Sequence, residues 1–463
     1  MKNHELTGAL WWKYTPLGMA KTLFSSASIW TGSGDPPFVG DVLIDGARIA
    51  AVSSFGNRLP ADDAEVIEAS GCTLMPGLVE GHAHLSFGNA IRNSDLGDIP
   101  TEEHLLLTMR NAALLLDHGF TSAYSAASAK LRLDLVIRNE INAGRLAGPR
   151  IRAASPEITV TGGLGDENTA YRQRSGFGFI ADGPAEITRF VRYCIREGVD
   201  NVKINISGDD FVGAKGCMTV MEDGEISAAV QTAHAFQRRV NCHARASESV
   251  KRAVRNGVDV IYHCESADEE ALDMLEAAKD RLFVGPAIGL IHNTLHEAAA
   301  YGISYQDACD MGLAECMAAS RRTYEKIRKR GIRVVIGGDY GFAWTPQGTN
   351  ARDIEHFVKL FGYSPSEALQ CATRVGAEIM GMGDELGLVK EGYLADLLLV
   401  TADPLADVSI LQHAKNLAVI MKDGYLHKNA IRNHEPRNIR TQSRSESGDS
   451  VGLPRREHAK TRD

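Results

Sequence analysis

The fold of this chain is decided by the stretch Met75-Pro76-Gly77-Leu78-Val79-Glu80-Gly81-His82-Ala83-His84. A short apolar run follows Pro76 and Gly77 and ends at two histidines separated by one residue. If residues 78–85 form a β-strand, alternate residues share a face, so His82 and His84 point to the same side. Two imidazoles presented together by a rigid element are typical of a metal site. An HxH pair alone is more often a buried histidine beside an exposed one, so further ligands must be sought along the chain.

The composition is that of an ordinary globular protein, with 463 residues, 44% hydrophobic and 24% charged. This length suffices for one large domain and a smaller one. The net charge of −9 argues against a nucleic acid or an anionic membrane as partner, and no apolar run reaches the roughly 18 residues of a membrane span. The eight cysteines lack CxxC spacing and no signal peptide is evident, so we expect reduced thiols and a cytoplasmic location.

Both ends of the chain carry short apolar runs separated by turn residues. Near the N-terminus, residues 41–44 and 48–52 flank Asp45-Gly46, which predicts a hairpin. A similar pattern returns at residues 397–400 and 417–428. We interpret residues 1–75 and 384–428 as one small β-sandwich domain built from both chain ends, with residues 76–383 inserted between them. Residues 429–463 are strongly polar and are predicted to be a disordered tail.

Between residues 76 and 383 the pattern alternates between strand, loop and amphipathic helix. The eight candidate strands are residues 78–85, 121–127, 150–158, 199–206, 240–244, 258–264, 281–286 and 334–338. The candidate helices are residues 105–117, 185–197, 225–238, 247–256 and 320–330. Repeated βα units over this length predict an α/β fold, namely a distorted (β/α)8 TIM barrel. An open doubly wound sheet is the alternative, but no G-x-G-x-x-G follows the first strand.

Side chains that bind metals recur at the ends of the predicted strands. They are His82 and His84 on the first strand, Lys203 on the fourth, His243 on the fifth, His263 on the sixth and Asp339 on the eighth. Each alone has an ordinary explanation, such as a hydrogen-bonded core histidine or a helix N-cap. In a barrel, however, the carboxyl ends of the strands meet at one rim, where the chemistry takes place. The order of these residues therefore predicts a single metal centre.

This order, headed by Pro76-Gly77-Leu78-Val79-Glu80-Gly81-His82-Ala83-His84, resembles the metal-dependent amidohydrolase superfamily. The resemblance extends from residue 27 to about residue 428, and Gly387-Leu388-Val389-Lys390-Glu391-Gly392-Tyr393-Leu394-Ala395-Asp396-Leu397 is similar to the family's return into its β-sandwich. It implies one or two divalent metal ions, zinc first, with cobalt, manganese or iron as alternatives. It also implies N6-carboxylation of Lys203, which would lie between one ion on His82, His84 and Asp339 and another on His243 and His263.

Two such ions about 3.5–4 Å apart can share a water and lower its pKa toward ~7. The predicted catalytic residues are Asp339 and His263. Asp339 would accept the proton of this water and pass it to the leaving nitrogen or sulfur. His263 would help to hold the ion that polarises the carbonyl.

The loops, which set the substrate, carry less information. Thr161-Gly162-Gly163-Leu164-Gly165-Asp166 resembles a loop of the branch that contains imidazolonepropionase-like and prolidase-like enzymes, in which a histidine often replaces Leu164. Candidate substrate contacts are Leu164, Tyr262, His292, Phe342 and Trp344, although packing explains each of them equally well. No arginine or lysine pair at a strand end offers a site for a substrate carboxylate.

The segments around His82, 201–210 and 337–341 are most similar to the hydrolases of phenylurea and thiocarbamate herbicides, including molinate hydrolase. The predicted function is metal-dependent cleavage of a C–N or C–S bond at the carbonyl of a small amide, urea or carbamate. The alternatives are an Xaa-Pro or Xaa-Arg dipeptidase, an imidazolonepropionase-like cyclic amidohydrolase and, more remotely, a non-catalytic scaffold. The expected partner is a small-molecule substrate, and a homo-oligomer is expected.

Overall fold

The computed structural model describes residues 21–431, apart from residues 55, 174, 175 and 212. The predicted tail beyond residue 431 lies outside the described residues. The strands are β1 (Lys21–Ile29), β2 (Phe38–Asp45), β3 (Arg48–Ser54), β4 (Ala64–Glu68), β5 (Thr73–Pro76), β6 (Leu78–Ala83), β7 (Phe120–Ser125), β8 (Arg150–Arg152), β9 (Ala154–Thr159), β10 (Gly178–Ile180), β11 (Asn201–Asn205), β12 (Arg239–Ala244), β13 (Val260–His263), β14 (Phe283–Gly285), β15 (Leu397–Val400), β16 (Leu417–Lys422) and β17 (Tyr425–Asn429).

The helices follow most strands of the central region. They are α1 (Asn93–Asp98), α2 (Thr101–Asp117), α3 (Leu133–Asn142), α4 (Gly183–Glu197), α5 (Asp223–Ala235), α6 (Ser247–Arg255), α7 (Glu269–Ala277), α8 (Ile288–Glu297), α9 (Tyr305–Asp310), α10 (Leu313–Lys329), α11 (Arg352–Phe361), α12 (Pro365–Ala372) and α13 (Arg374–Ile379). Within the described ranges, no helix is both long and apolar enough to cross a membrane.

One eight-stranded sheet collects strands from both ends of the described chain, and we call it the terminal sheet. Its order is β17-β16-β15-β5-β1-β2-β3, with β4 beside β1. The hairpin predicted at Asp45-Gly46 is confirmed, because β2 and β3 pair antiparallel on either side of it. β5 is parallel to β1 and antiparallel to β15, so Leu74 pairs with Leu399. The recurring apolar runs at the two ends thus belong to a single sheet.

The central region forms parallel sheets of six and three strands, in the orders β10-β9-β11-β12-β13-β14 and β6-β7-β8. Their strands are short and mostly buried on both faces, as parallel strands covered by helices are. Val202 and Ile204 of β11 pack in the main core beside Ile158 of β9 and Ile261 of β13. The α/β architecture predicted from the alternating pattern is confirmed.

Two of the predicted strands differ from the structure. The third, at residues 150–158, is divided into β8 and β9 at Ala153, because the Ala153 amide donates to the Asp200 carboxylate (2.8 Å) instead of to a neighbouring strand. The eighth, at residues 334–338, is not a regular strand, and Gly337 within it has a φ of 147°. It still hydrogen bonds on both sides, to Val284 of β14 and to Gly81 of β6.

The terminal sheet and the parallel strands meet at Gly77. Only Gly77 separates β5 from β6. The Gly77 amide donates to Asp396 O (2.9 Å), beside the terminal sheet, whereas the Leu78 amide donates to Gly119 O (3.0 Å), beside β7. The backbone therefore passes from one sheet to the other between two consecutive residues.

Candidate metal centre

β6 and the segment that follows residues 334–338 bring His82, His84 and Asp339 together. The Asp339 Oδ1 atom lies 3.2 Å from His84 Nε2 and 3.9 Å from His82 Nε2. One potential ligand atom from each residue lies within 4.8 Å of the other two. Both histidines are buried, and because residues 82 and 84 are two apart in an extended stretch, their side chains point to the same side. These three side chains are spaced as the ligands of one ion would be.

Lys203 of β11, His243 of β12 and His263 of β13 line the same cavity as these three residues. The ring centroids of His243 and His263 are 4.1 Å apart, and those of His82 and His263 are 5.8 Å apart. All three added side chains are buried. The structure therefore brings the six candidate ligands from the sequence to one place, which we call the cavity floor.

Hydrogen bonds determine which ring nitrogens are free. His84 Nδ1 donates to Ala127 O (3.1 Å), which leaves Nε2 beside Asp339. His243 Nε2 donates to Gly208 O (3.0 Å), which leaves Nδ1. Both ring nitrogens of His82 and of His263 are buried without a hydrogen-bond partner among the described residues. Buried polar atoms without partners are costly, and a divalent ion would satisfy one nitrogen of each ring, so the donor set fits a metal.

Burial favours the neutral form of three of these histidines. It lowers the pKa of His82 and of His263 well below the ordinary histidine range, and that of His243 to about 3. Burial works to raise the pKa of the Asp339 carboxyl, but the neighbouring His82, His84 and Lys203 hold that pKa well below its usual range. Neutral imidazoles and an ionised carboxylate are the protonation states that a divalent cation requires.

The backbone is strained at two of these positions. His263 and Asp339 have φ values of 79° and 62°, in the left-handed region that side chains other than glycine rarely occupy. Such a conformation costs on the order of 1–3 kcal/mol and persists where the surrounding structure fixes it, most often at functional sites. At both residues the strained backbone carries a side chain that reaches the cavity floor.

The cavity above the floor has a volume of about 450 Å³, and part of its wall is aromatic. The Phe87 ring stacks on His84 with centroids 4.1 Å apart, and it meets Phe177 and Phe342 edge to face at 6.1 and 5.8 Å. Phe342 stacks in turn on Trp344 at 5.9 Å. This aromatic wall, Phe87, Phe177, Phe342 and Trp344, begins directly beside a candidate metal ligand.

Three of the candidate substrate contacts, Leu164, Phe342 and Trp344, line the cavity, and two do not. Tyr262 is fully buried, with its ring stacked on His82 at 3.8 Å and its hydroxyl donating to Gly81 O (2.7 Å). His292 lies on α8, where its ring packs against His356 at 4.5 Å. Tyr262 thus packs against the candidate ligand His82, and His292 packs between helices.

Glu157 is a cavity residue that sequence reasoning missed. It is the register partner of Lys203 across β9 and β11, so the two side chains share a face. Its carboxylate is 5% exposed, and its Oε2 accepts a hydrogen bond from Asn205 Nδ2 (2.6 Å). Burial raises the pKa of this carboxyl. The sequence placed this residue within a predicted strand, residues 150–158, but offered no signal for the direction of its side chain.

Two arginines also line the cavity, Arg92 just before α1 and Arg172 between β9 and β10. Both residues lie in loops. The sequence prediction considered basic pairs only at strand ends and therefore did not include these two arginines. Loops have no periodic pattern from which side-chain direction could be read.

The α/β fold and a cluster of histidine and carboxylate side chains that could hold a metal ion are features expected of a metal-dependent hydrolase. The model of the amidohydrolase family matches residues 73–426, and the chain belongs to this family. It is an enzyme that hydrolyses carbon–nitrogen bonds, as its named hydrolase relatives support, and this finding sets aside the non-catalytic scaffold. The resemblance seen in the sequence is confirmed.

Several relatives are similar over most of the chain. Ochratoxinase of Aspergillus niger is 26% identical over 381 residues, which cover 77% of this chain and 75% of the relative. An imidazolonepropionase of Aromatoleum aromaticum is 26% identical over 403 residues, covering 83% and 92%. The crystal structure of an Xaa-Pro dipeptidase with bound methionine in the active site is 27% identical, with a TM-score of 0.79 over 89% of this chain and 100% of that one.

Structures of molinate hydrolase and phenylurea hydrolase B share the fold. Molinate hydrolase has a TM-score of 0.70 at 18% identity, covering 94% of this chain and 100% of its own. Phenylurea hydrolase B has a TM-score of 0.69 at 20% identity, covering 88% and 96%. At these identities the similarity concerns the fold alone.

Proposed function

We propose that this amidohydrolase cleaves the C–N or C–S bond at the carbonyl of a small aromatic amide, urea or carbamate, of the phenylurea or thiocarbamate kind. The observation that carries the proposal is the position of the aromatic wall, whose first ring, Phe87, stacks on His84. An aryl group held on this wall would place its attached carbonyl above the cavity floor. A cavity of about 450 Å³ suits a substrate of that size.

We propose one or two divalent metal ions, zinc first, with cobalt, manganese or iron as alternatives. His82, His84 and Asp339 would hold one ion, and His243 and His263 the other. When bound, such ions lower the pKa of a water toward ~7 and polarise a carbonyl oxygen. The neutral imidazoles and the partnerless nitrogens of His82 and His263 support this assignment.

Carboxylation of Lys203 belongs to the same proposal. Lys203 is 2% exposed and forms no direct ion pair with a carboxylate of the described residues, although Asp339 and Glu157 are near enough to interact with its charge. A buried ammonium without a direct partner is costly. A carbamate would give this position two anionic oxygens with which to bridge cations. The added mass of one CO₂ in the intact protein would establish the modification, and full metal content in Lys203→Ala would contradict the bridging role.

Asp339 and Glu157 would have different roles in the proposed reaction. Asp339 would transfer a proton, and Glu157 would bind the substrate. The Asp339 carboxylate, which stays ionised, can accept the proton of the attacking water and return it to the leaving nitrogen or sulfur. Glu157 has its Oε2 fixed by Asn205 and lies beside Lys203 on the cavity floor. Its carboxylate can accept a hydrogen bond from a substrate N–H. The aromatic wall would exclude water around both groups.

An Xaa-Pro or Xaa-Arg dipeptidase is the second candidate. Arg92 and Arg172 line the cavity and could pair with the carboxylate of a dipeptide. The 27% identity to the Xaa-Pro dipeptidase structure supports the same candidate. An imidazolonepropionase-like activity stays a third candidate because of the curated relative at 26% identity.

Metal analysis combined with one substrate panel distinguishes these candidates. The panel contains aryl ureas, thiocarbamates, anilides, Xaa-Pro and Xaa-Arg dipeptides and imidazolonepropionate. We expect bound metal, and a kcat/KM for an aryl substrate at least ~10-fold above that for any dipeptide, a difference of about 1.4 kcal/mol. Faster turnover of a dipeptide favours the second candidate. A protein that neither contains metal nor gains hydrolysis with zinc, cobalt or manganese contradicts the metal assignment.

We further propose that the parallel sheets close into a distorted (β/α)8 barrel over residues 76–383, and that the terminal sheet belongs to a β-sandwich domain of residues 1–75 and 384–428. The hydrogen bonds of residues 334–338 to both β14 and β6 support the closure. The clustering of Phe24, Ile29, Leu397 and Val419 in a core of their own supports the second domain.

We also propose a cytoplasmic homo-oligomer that acts on a small molecule, without a nucleic acid or a membrane as partner. All eight cysteines lie in the described part of the chain and none is in a disulfide, which supports a reducing compartment. Light scattering of the purified protein would establish the oligomeric state.

A further inference from the structure

A buried group of three charged residues lies beside the cavity floor, and we call it the Arg245 network. Arg245 Nε donates to Asp209 Oδ2 (2.8 Å), and its Nη1 donates to Glu265 Oε1 (2.5 Å). The exposed fractions of Arg245, Asp209 and Glu265 are 2%, 6% and 1%. Burying charged groups is expensive even when they are paired, and packing alone would be served as well by apolar side chains. The network therefore calls for a functional explanation.

Asp209 connects the network to a candidate metal ligand. Its Oδ2 lies 3.5 Å from His243 Nε2, the ring nitrogen that also donates to Gly208 O. A carboxylate beside the outer nitrogen of a metal-binding imidazole fixes its tautomer and orientation and makes the inner nitrogen a better ligand. For His243 the inner nitrogen is Nδ1.

Arg245 holds Asp209 in place through the hydrogen bond from its Nε to Asp209 Oδ2 (2.8 Å). The guanidinium is fixed on its other side by Glu265. The backbone of Arg245 is also fixed, because its amide donates to Ser207 Oγ (3.0 Å). Asp209 thus has little freedom to leave His243.

The other half of the centre lacks such support. The outer nitrogen of His84 meets only the carbonyl of Ala127. Among the described residues, the only carboxylate within ion-pair distance of His82 or His84 is Asp339, itself a candidate ligand. The two halves of the floor are therefore held in different ways.

We propose that Asp209, fixed by Arg245, is a positioning residue that orients His243 and strengthens metal binding by the His243–His263 half of the centre. The inference rests on the proposed metal centre but not on the proposed substrate. Its removal should weaken one half selectively, because no member of the network contacts the half formed by His82, His84 and Asp339.

The test measures zinc binding to the full chain in the absence of substrate. Metal-free wild type and Asp209→Asn are titrated with zinc in competition with a chromophoric chelator. We expect the weaker of two zinc dissociation constants to rise about 10- to 100-fold, and the tighter one to change less than ~3-fold. Asp210→Asn, the same chemical change one residue along, is the matched control and should leave both constants unchanged.

Further variants separate positioning from general damage. Asp209→Glu keeps the charge and should bind zinc with an affinity between those of wild type and Asp209→Asn, and it serves if Asp209→Asn does not fold. Arg245→Lys should weaken the same half, because an ammonium cannot hold Asp209 and Glu265 with a planar fork. Cobalt substitution adds a spectrum, whose change in Asp209→Asn should be confined to one of two ions.

The outcomes are distinct. Equal weakening of both zinc sites, or unchanged zinc binding in folded Asp209→Asn or Asp209→Glu, overturns the positioning role. A wild-type chain that binds one zinc, unaffected by Asp209→Asn, overturns it as well. A wild-type chain that binds no zinc, cobalt or manganese contradicts the proposed metal centre itself.

Discussion

Asp339 combines three properties that rarely coincide in one residue. It lies against two imidazoles, its carboxyl stays ionised although it is only partly exposed, and its backbone is in the left-handed region. Asp339 therefore combines backbone strain with a charged side chain at the candidate metal site.

Asp339→Asn should abolish hydrolysis while the fold persists. An amide cannot accept the proton of the attacking water, and proton transfer by a positioned side chain contributes about 10²–10⁴-fold to a rate. We expect kcat to fall at least ~10²-fold in protein reloaded with metal, with an unchanged circular dichroism spectrum. Turnover within tenfold of wild type would show that Asp339 does not carry the proton.

Asp134, on α3, provides a pH-dependent test of stability. Burial raises the pKa of its carboxyl to about 6, although Ser125 and Ser128 donate to it. Since an unfolded aspartate titrates near about 3.9, the folded state holds the proton more tightly. This group therefore favours the fold below about pH 4, and its contribution is lost as the pH rises through about 6.

The side chain of Asp134→Asn cannot ionise. The free energy of unfolding of this variant, relative to that of wild type, should therefore increase as the pH rises from about 4 to about 6. The gain should be on the order of 2–3 kcal/mol and stay constant above about pH 7. Urea unfolding of both proteins at several pH values measures it. Parallel pH profiles would show that the Asp134 carboxyl is not perturbed in the folded state.

Among the elements, the segment of residues 334–338 packs closely against β6 at Gly337. A Cβ atom on Gly337 would lie 2.4 Å from His82 Cβ and 2.6 Å from the His82 nitrogen. These distances are impossible, so any side chain at Gly337 must push this segment away from β6. The segment also leads into Asp339, and the same displacement would open the cavity floor.

Gly337→Ala should therefore destabilise the protein by at least ~2 kcal/mol and reduce its zinc affinity. The control is Gly46→Ala, at the β2–β3 turn, where φ is also positive but no atom lies within 4 Å of the added Cβ. That variant should lose only the ~1–2 kcal/mol of left-handed strain and bind zinc normally. Equal zinc affinities in the two variants would contradict the contact with β6.

Strands and helices were predictable from the sequence where the spacing of apolar residues matches the burial of those residues in the structure. β6, β11, β12 and β13 are short apolar runs, and their ends place His82, His84, Lys203, His243 and His263 on the floor. The break at Ala153 was not predictable, because it depends on the side chain of Asp200, a residue distant in sequence. Arg92, Arg172 and Glu157 were missed for a related reason, since tertiary packing alone determines where they point.

At the scale of the whole molecule, Arg150 joins the parallel strands to the terminal sheet. It lies on β8, donates to Asp396 (2.7 Å) just before β15, and also pairs with Asp423 in the turn between β16 and β17. The Asp396 side chain is 1% exposed. Removing Arg150 would leave this carboxylate buried without its charge partner, which is far more costly than losing a surface pair.

Arg150→Ala should lower the free energy of unfolding by about 3–5 kcal/mol. The matched control is Arg132→Ala, which removes an ion pair of similar length to Glu197 from an exposed arginine and should cost less than ~1 kcal/mol. Chemical denaturation of both variants measures the difference. Similar losses in the two variants would show that Arg150 does not hold the sheets together.

The passage through Gly77 has a consequence for recombining this protein with its relatives. Because consecutive amides bond to different sheets, no loop exists there at which two parents could be joined. A chimera that exchanges the terminal strands must inherit residues 73–84 and 396–400 from the same parent, since one stretch both pairs with β15 and carries the first metal ligands. The crossover point should lie beyond residue 84. The hydrogen-bonded pair of β5 and β15 is then transferred together with the first candidate ligands.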